Sequence, residues 1–413
     1  MVGMLSINKN IKPKLEIKRD PEDFVVKEIT KSFKVLELDS SFNSEELGYP
    51  EGDRYAVFGL QKRNWNTAQA LSEIARSCGK GKKSIGYAGT KDRQAVSTQL
   101  CSITYVEPEK LTSISIPGIK INFAFPSSSC IRLGDLEGNS FDIRAVGYSA
   151  GALEKITEAE SALDGVFPNY YGPQRFGSRR NNVDIGIALL KGDFKEAAMR
   201  FLTDTSNETS PEAREAREKL ASEMDFAKAL QYFPKHLKYE RKMLSYLSSY
   251  GPNYRAAFRT MPRQILMMFV HSVESEIFNK SLEIAVKSAG DYKPSLWCKA
   301  DGYGFPDYSK TSKEKPSGPC FGVMQVIGYE TEDISEEEKK ALDNYGLSLD
   351  SFRSKQMPEL RAKGSLRAAF APYKYFSAED SGNSIRFKFS LPSGSYATVL
   401  LSEFISIGKG EKE

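Results

Sequence analysis

The first chemistry the chain offers is a carboxylate held between cations. Gly89-Thr90-Lys91-Asp92-Arg93 follows a short apolar run, and Lys80, Lys82 and Lys83 precede it. A carboxylate beside fixed cations can serve as a nucleophile or a base, and the positive surroundings suit work next to a phosphate backbone. A helix starting at Thr90 would add its N-terminal dipole. Gly86 and Gly89 allow another segment to approach the backbone closely. The bland reading of such a charged tripeptide is a solvated turn with Thr90 as cap, so the motif needs support from elsewhere in the chain.

That support begins at residues 169–182, where Asn169, Tyr170 and Tyr171 lead through a glycine-bearing loop to Arg175, Arg179 and Arg180. Aromatic faces stack on bases, amides read base edges and arginines hold phosphates, a combination suited to RNA. The competing reading is a tyrosine-rich loop packed under its own domain. Two other segments look ordinary by spacing alone: residues 18–28 as an edge strand after a Pro21 turn, and residues 391–401 as a turn entering a buried strand. His271, on an apolar helix, reads as a satisfied structural histidine.

Bulk composition narrows the class. The 413 residues, 40% hydrophobic, can build two or three domains or one domain with a large insertion. A balance of 58 basic to 54 acidic residues leaves only +4, so local clustering has to carry any case for nucleic acid. The N-terminus lacks a signal-peptide stretch and residues 265–270 are too short a run to span a bilayer, which makes the cytoplasm the default and leaves no membrane partner expected. Five cysteines without a Cys-x-x-Cys pair suit reduced thiols, and only His236 and His271 are present, which argues against a histidine-based zinc site or a Ser-His-Asp triad.

The elements that must position these groups fall into two regimes. Residues 15–60, 84–105, 121–125 and 140–148 read as strands, with Phe141, Ile143 and Ala145 alternating against Asp142 and Arg144. Asn66 or Thr67 caps a helix that Gly79 ends, and residues 152–163 form another. From about residue 183 helical patterning takes over, at 185–191, 194–202, 211–230, 237–249 and 263–288, and strand signals nearly vanish until 384. Ser335 and Glu338 form a capping box with Ile334 as staple. A β-rich domain built from both chain ends and interrupted by a helical insert is the simplest organisation.

Five stretches, in order, make the chain resemble the TruD family of tRNA pseudouridine synthases. They are Asp-Phe-Val-Val-Lys-Glu from Asp23, Gly-Thr-Lys-Asp-Arg-Gln-Ala-Val from Gly89, Arg-Leu-Gly-Asp-Leu-Glu-Gly-Asn from Arg132, Pro-Asn-Tyr-Tyr-Gly-Pro-Gln-Arg-Phe-Gly from Pro168 and Leu-Pro-Ser-Gly-Ser-Tyr-Ala-Thr from Leu391. The middle third matches weakly, as the family's variable insertion would. The resemblance implies an α+β pseudouridine-synthase catalytic domain on a largely antiparallel sheet, residues 1–193 and 372–413, interrupted by a mainly helical inserted TRUD domain at 194–371. It also implies Asp92 as the catalytic aspartate, Lys18 as its basic partner, and Phe24, Asn169, Tyr171 and Tyr396 as substrate-site residues. Tyr171 and Tyr396 stand where bacterial members carry phenylalanine, which keeps the ring and adds a hydroxyl. Lys82, Lys83, Arg175, Arg179 and Arg180 are the candidate RNA phosphate contacts.

The implied reaction breaks the N1–C1′ bond of a uridine, turns the uracil and joins C5 to C1′. It involves no net redox change, so no cofactor and no metal are expected. The implied partner is tRNA, at uridine 13 of the dihydrouridine arm; no protein partner is implied, and a monomer is expected. Taking a paired uridine out of its stack costs about a few kcal/mol, which stacking on Phe24, Tyr171 or Tyr396 can offset. Asp92 can attack C1′, remove a C2′ proton or add to the ring, and the residues do not choose among these. Two rival functions use the same groups: a non-catalytic RNA-binding module or chaperone, and a base-excising glycosylase that would release free uracil. No Gly-x-x-x-x-Gly-Lys-Ser/Thr is present to suggest a Walker-type motor.

Overall fold

The computed structural model describes residues 6–7, 12–147, 151–287 and 293–408. They form two compact units, one of Ser6–Asn169, Lys299–Asp307 and the chain from Phe370 onward, the other of Tyr170–Cys298 and Tyr308–Ala369.

A ten-stranded sheet organises the first unit. Seven of its strands are β1 (Lys14–Ile17), β2 (Phe24–Ile29), β3 (Tyr55–Arg63), β4 (Ile85–Tyr87), β5 (Val96–Thr104), β6 (Ile119–Ser127) and β7 (Gly138–Val146), and Lys374–Asp380, Ser384–Pro392 and Ser406–Gly408 complete it. Across the sheet the order is 374–380, 384–392, β7, β2, β5, β3, β6, with β1 pairing β7 and 406–408, and β4 pairing β5. Neighbours along that path are antiparallel except β2 and β5, which run parallel with Val25 opposite Val96. That parallel pair matters because β2 and β5 both begin beside the candidate site.

Period-two patterning explains which face is covered. Phe141, Ile143 and Ala145 of β7 are buried, and Phe141 sits opposite Phe389 with ring centroids 5.3 Å apart and 6.2 Å from Phe24. Each such ring contributes roughly 1.5–3 kcal/mol by leaving water. On β3 and β5 the same face carries Phe58, Leu60, Cys101 and Ile103, covered by Ala70, Leu71 and Ile74 of the helix Thr67–Ser77. Asn66 starts that helix as expected, its Oδ1 accepting from the Ala68 N–H at 3.0 Å.

The second unit is mainly helical. Asn182–Lys191, Phe194–Thr203, Lys238–Tyr250 and the long Arg263–Lys287 surround a core that includes Leu189, Phe201, Leu244, Phe258 and Val270. The helix expected at 211–230 is two, Pro211–Glu223 and Phe226–Tyr232: Met224 takes the left-handed conformation at φ 53°, and the Asp225 carboxylate then caps the next helix from Lys228 N–H at 3.0 Å. Ser335 and Glu338 make the expected capping box.

Two sequence expectations are revised here. Strands do not vanish from the middle of the chain, because Cys320–Val326 pairs antiparallel with Ser365–Ala368, and Leu296–Ala300 and Pro306–Ser312 extend the same sheet. Pro306–Ser312 is polar and largely exposed, so no alternation announces it. The helical unit also begins at Tyr170 rather than 194. Asn279 clasps the Tyr171 backbone, accepting from its N–H at 2.8 Å and donating to its carbonyl at 3.0 Å. At Gly186 the backbone of Phe269 comes so near that a Cβ would lie 2.4 Å from its carbonyl oxygen.

Candidate active site

Two tight turns bring the chemistry together in the first unit. After β1 the chain turns at Lys18, which holds a left-handed φ of 61° that a long side chain adopts only when its surroundings impose it. Asp20 N–H donates to the Asp23 carboxylate at 3.0 Å to close the next turn, and Phe24 opens β2. The Lys18 ammonium forms an ion pair with the Asp92 carboxylate and lies 4.0 Å from the centroid of the Phe24 ring. Gln94 closes the clasp by donating its amide to the Lys18 carbonyl. A cation, an aromatic ring and a carboxylate from segments far apart in the chain thus meet, with the Asp92 side chain 37% exposed and the Lys18 side chain 16%.

The loop at 89–95 contains no helix, so Asp92 has no helix dipole of its own. Its scaffold comes from the start of the neighbouring helix instead. Thr67 Oγ1 accepts from the Lys91 N–H at 3.0 Å and donates to the Lys91 carbonyl at 3.2 Å, while Gln99 Nε2 donates to the Gly89 carbonyl at 3.1 Å.

Lys91 is not a neighbour of the carboxylate in the sense its position suggests. Its ammonium turns inward to Glu28 Oε2 at 2.6 Å, in a pair whose side chains are 4% and 0% exposed. The second oxygen of Glu28 accepts from Leu100 N–H at 2.9 Å, so the buried carboxylate is used on both sides. Arg93 points to solvent. The cations that act on Asp92 are Lys18, at the carboxylate, and Lys62, whose Nζ donates to the Asp92 carbonyl at 2.7 Å. Burial pushes the Lys62 ammonium down to about 8, with Asp92 opposing the shift and Lys91 adding to it.

Of the two glycines, Gly86 is the one that admits a close neighbour: a Cβ there would lie 2.0 Å from the Ile131 carbonyl oxygen, whereas at Gly89 the nearest atom would be 3.9 Å away.

The remaining expected site residues fall into two groups. In the first unit, Asn169 is buried and its Oδ1 accepts from Ser395 Oγ at 2.9 Å, one residue before Tyr396, which starts the helix Ala397–Phe404. Lys82 and Lys83 form an exposed turn entering β4. In the second unit, the Tyr171 ring lies 4.2 Å from the Arg367 guanidinium and 5.4 Å from that of Arg175, with Phe278 edge-on at 5.5 Å.

Arg175 donates to Ser275 Oγ at 3.0 Å and Arg180 is exposed. Arg179 is engaged differently from its two companions. Its guanidinium donates to the carbonyls of Phe201 at 3.1 Å and Asp204 at 2.9 Å, and so closes the end of the helix Phe194–Thr203. Burial, with Arg217 nearby, lowers its pKa.

Lys62, Glu28, Gln94 and Arg367 were not singled out from the sequence. Lys62 had a usable signal: the strand expected to end by residue 60 runs on to Arg63, so Phe58, Leu60 and Lys62 share one buried face. A fully buried lysine at the end of an apolar alternation asks for a partner.

Comparison with known proteins supplies the family. Residues 12–404 match the family described as tRNA pseudouridine synthase D (TruD). A Thermococcus sibiricus relative carrying the name "Probable tRNA pseudouridine synthase D" is 33% identical, over 97% of this chain and 96% of its own length. One from Methanopyrus kandleri with the same name is 35% identical over 85% of each chain. The crystal structure of a TruD-type protein from Methanosarcina mazei superposes with a TM-score of 0.76 at 28% identity, covering 98% of this chain and 97% of the other. The chain therefore belongs to the tRNA pseudouridine synthase D family.

Proposed function

We propose that the protein isomerises a uridine of tRNA, uridine 13 of the dihydrouridine arm, to pseudouridine, and that Asp92 is the single carboxylate that acts on the flipped-out nucleoside. The observation that carries this reading is the half-open Asp92 carboxylate paired with Lys18 above the Phe24 ring. The pairing holds the carboxylate in one orientation and leaves part of it accessible, as a group that must reach a sugar or base requires.

The reaction balances without an oxidant or an energy source: the N1–C1′ bond breaks, C5–C1′ forms, C5 loses a proton and N1 gains one. Asn169 and Tyr396 of the first unit hold the extruded uridine, by hydrogen bonding and by stacking, and Tyr171 of the second unit is an RNA contact. Lys82, Lys83, Arg175 and Arg180 hold phosphates. Arg179, engaged at the end of the helix Phe194–Thr203, is left out of that set.

The test is incubation with an unmodified tRNA transcript, followed by mapping of pseudouridine at single-nucleotide resolution. Pseudouridine at uridine 13 is expected. Modification confined to another uridine would overturn the target, and RNA bound but unmodified would turn the reading toward a binding module. Release of free uracil would identify a glycosylase.

A further inference from the structure

The geometry points to Lys62 as a positioning residue for the reaction: by gripping the main-chain carbonyl of Asp92 it fixes the turn that aims the carboxylate, and it serves turnover rather than tRNA binding. This rests on the reading of Asp92 as the reacting carboxylate.

Two observations support it. First, the loop is held at residue 91 by Thr67 on both its N–H and its carbonyl, and the Lys91 side chain is drawn away to Glu28. The carbonyl of the next residue, Asp92, is held by Lys62 at 2.7 Å. Thr67 and Lys62 therefore brace the peptide units on either side of Asp92, and Lys18 fixes the carboxylate itself.

Second, Lys62 is a costly choice for its place. It is 0% exposed, on the face that also carries Phe58 and Leu60, directly across from Ser97. The Ser97 hydroxyl, also buried, has no hydrogen-bond partner among the described residues. A methionine would fill such a site without desolvating an ammonium. The strand gains nothing from a charge there, whereas the Asp92 carbonyl gains a charge-assisted hydrogen bond.

A brace on the backbone of a reacting residue matters because position sets rate. A misplacement of about 1 Å in a reacting group can lower a rate by about a hundredfold.

The charged groups facing Lys62 are Asp92, which favours its ammonium, and Lys91, which disfavours it. Lys91 is itself paired with Glu28 from β2, and Asp92 with Lys18; Ser97 and Thr67 are neutral. Burial has already brought the Lys62 ammonium down to about 8. Turnover therefore falls as pH rises through that value, and an arginine, which stays protonated, keeps its rate to higher pH.

The experiment compares the intact wild type with Lys62→Met, Lys62→Arg and Asp92→Asn, measuring single-turnover pseudouridine formation, tRNA Kd and melting temperature from pH 6.5 to about 9.5, a range set to bracket the titration. Lys62→Met is expected to slow turnover by about tenfold to a hundredfold, with Kd within about threefold. Lys62→Arg is expected to recover part of the rate and to lose the high-pH decline. Turnover by Lys62→Met within twofold of wild type would overturn the assignment, as would an identical high-pH decline in wild type and Lys62→Arg. If Lys62→Met fails to fold, the arginine variant and the wild-type profile still decide. Full turnover by Asp92→Asn would remove the Asp92 reading and the Lys62 role with it; an inactive Asp92→Asn beside a fast Lys62→Met removes only the latter.

Discussion

Replacing Lys91 with methionine should cost far more than an ordinary loop substitution. Glu28 is fully buried, and in the variant its carboxylate keeps the Leu100 N–H at 2.9 Å but loses the ammonium at 2.6 Å. Removing one partner of a buried pair costs about 3–5 kcal/mol, because the remaining charge is left uncompensated. Adding Glu28→Gln removes that charge, and the residual cost should fall to that of an imperfectly bonded buried amide, about 1–3 kcal/mol. The double variant is therefore predicted to be more stable than Lys91→Met alone.

Urea unfolding measures this. In a Trp297→Phe background the indole of Trp65, hydrogen-bonded to the Pro117 carbonyl at 3.0 Å, reports on the unit that holds the pair. Four proteins, with and without each change, complete a double-mutant cycle. A Lys91→Met cost under about 1 kcal/mol, or a double variant no more stable than that single one, would refute the argument that this is a tightly coupled buried pair.

Two other predictions concern the loop and the basic residues. Gly86→Ala should destabilise by about 1–3 kcal/mol, because the added methyl meets the Ile131 carbonyl, whereas Gly89→Ala should stay within about 0.5 kcal/mol; thermal unfolding compares them directly. Arg180→Ala should reduce the slope of log Kd against log salt for tRNA by about one, while Arg179→Ala should leave that slope unchanged and lower the melting temperature, because its guanidinium serves the carbonyls of Phe201 and Asp204.

What could be read in advance follows from how local each interaction is. The alternation in β7 was legible because one face of that strand meets the core, and Asn66 was legible because a cap is a contact within three residues. The direction of Lys91 was not. Three consecutive charged residues give no sign of which side chain enters the core, and its partner Glu28 lies 63 residues away in β2. Lys18 and Asp92 are 74 residues apart and were linked by resemblance, since no local pattern ties a turn after one strand to a loop before another. Among the strands between Leu296 and Ala368, Pro306–Ser312 escaped notice for a different reason: it is a polar, largely exposed strand without the period of two that burial of one face would impose. Arg179 looked like its neighbours Arg175 and Arg180 because composition reports a guanidinium and not the helix end it closes.

The central claim is that one carboxylate carries the chemistry, and Asp92→Asn tests it most directly. The amide keeps the size of the side chain and removes the nucleophile or base. Single-turnover assays with the tRNA transcript, run beside a binding measurement, should show no pseudouridine and a Kd within about threefold of wild type. Pseudouridine formed by Asp92→Asn at a rate near that of wild type would contradict the account.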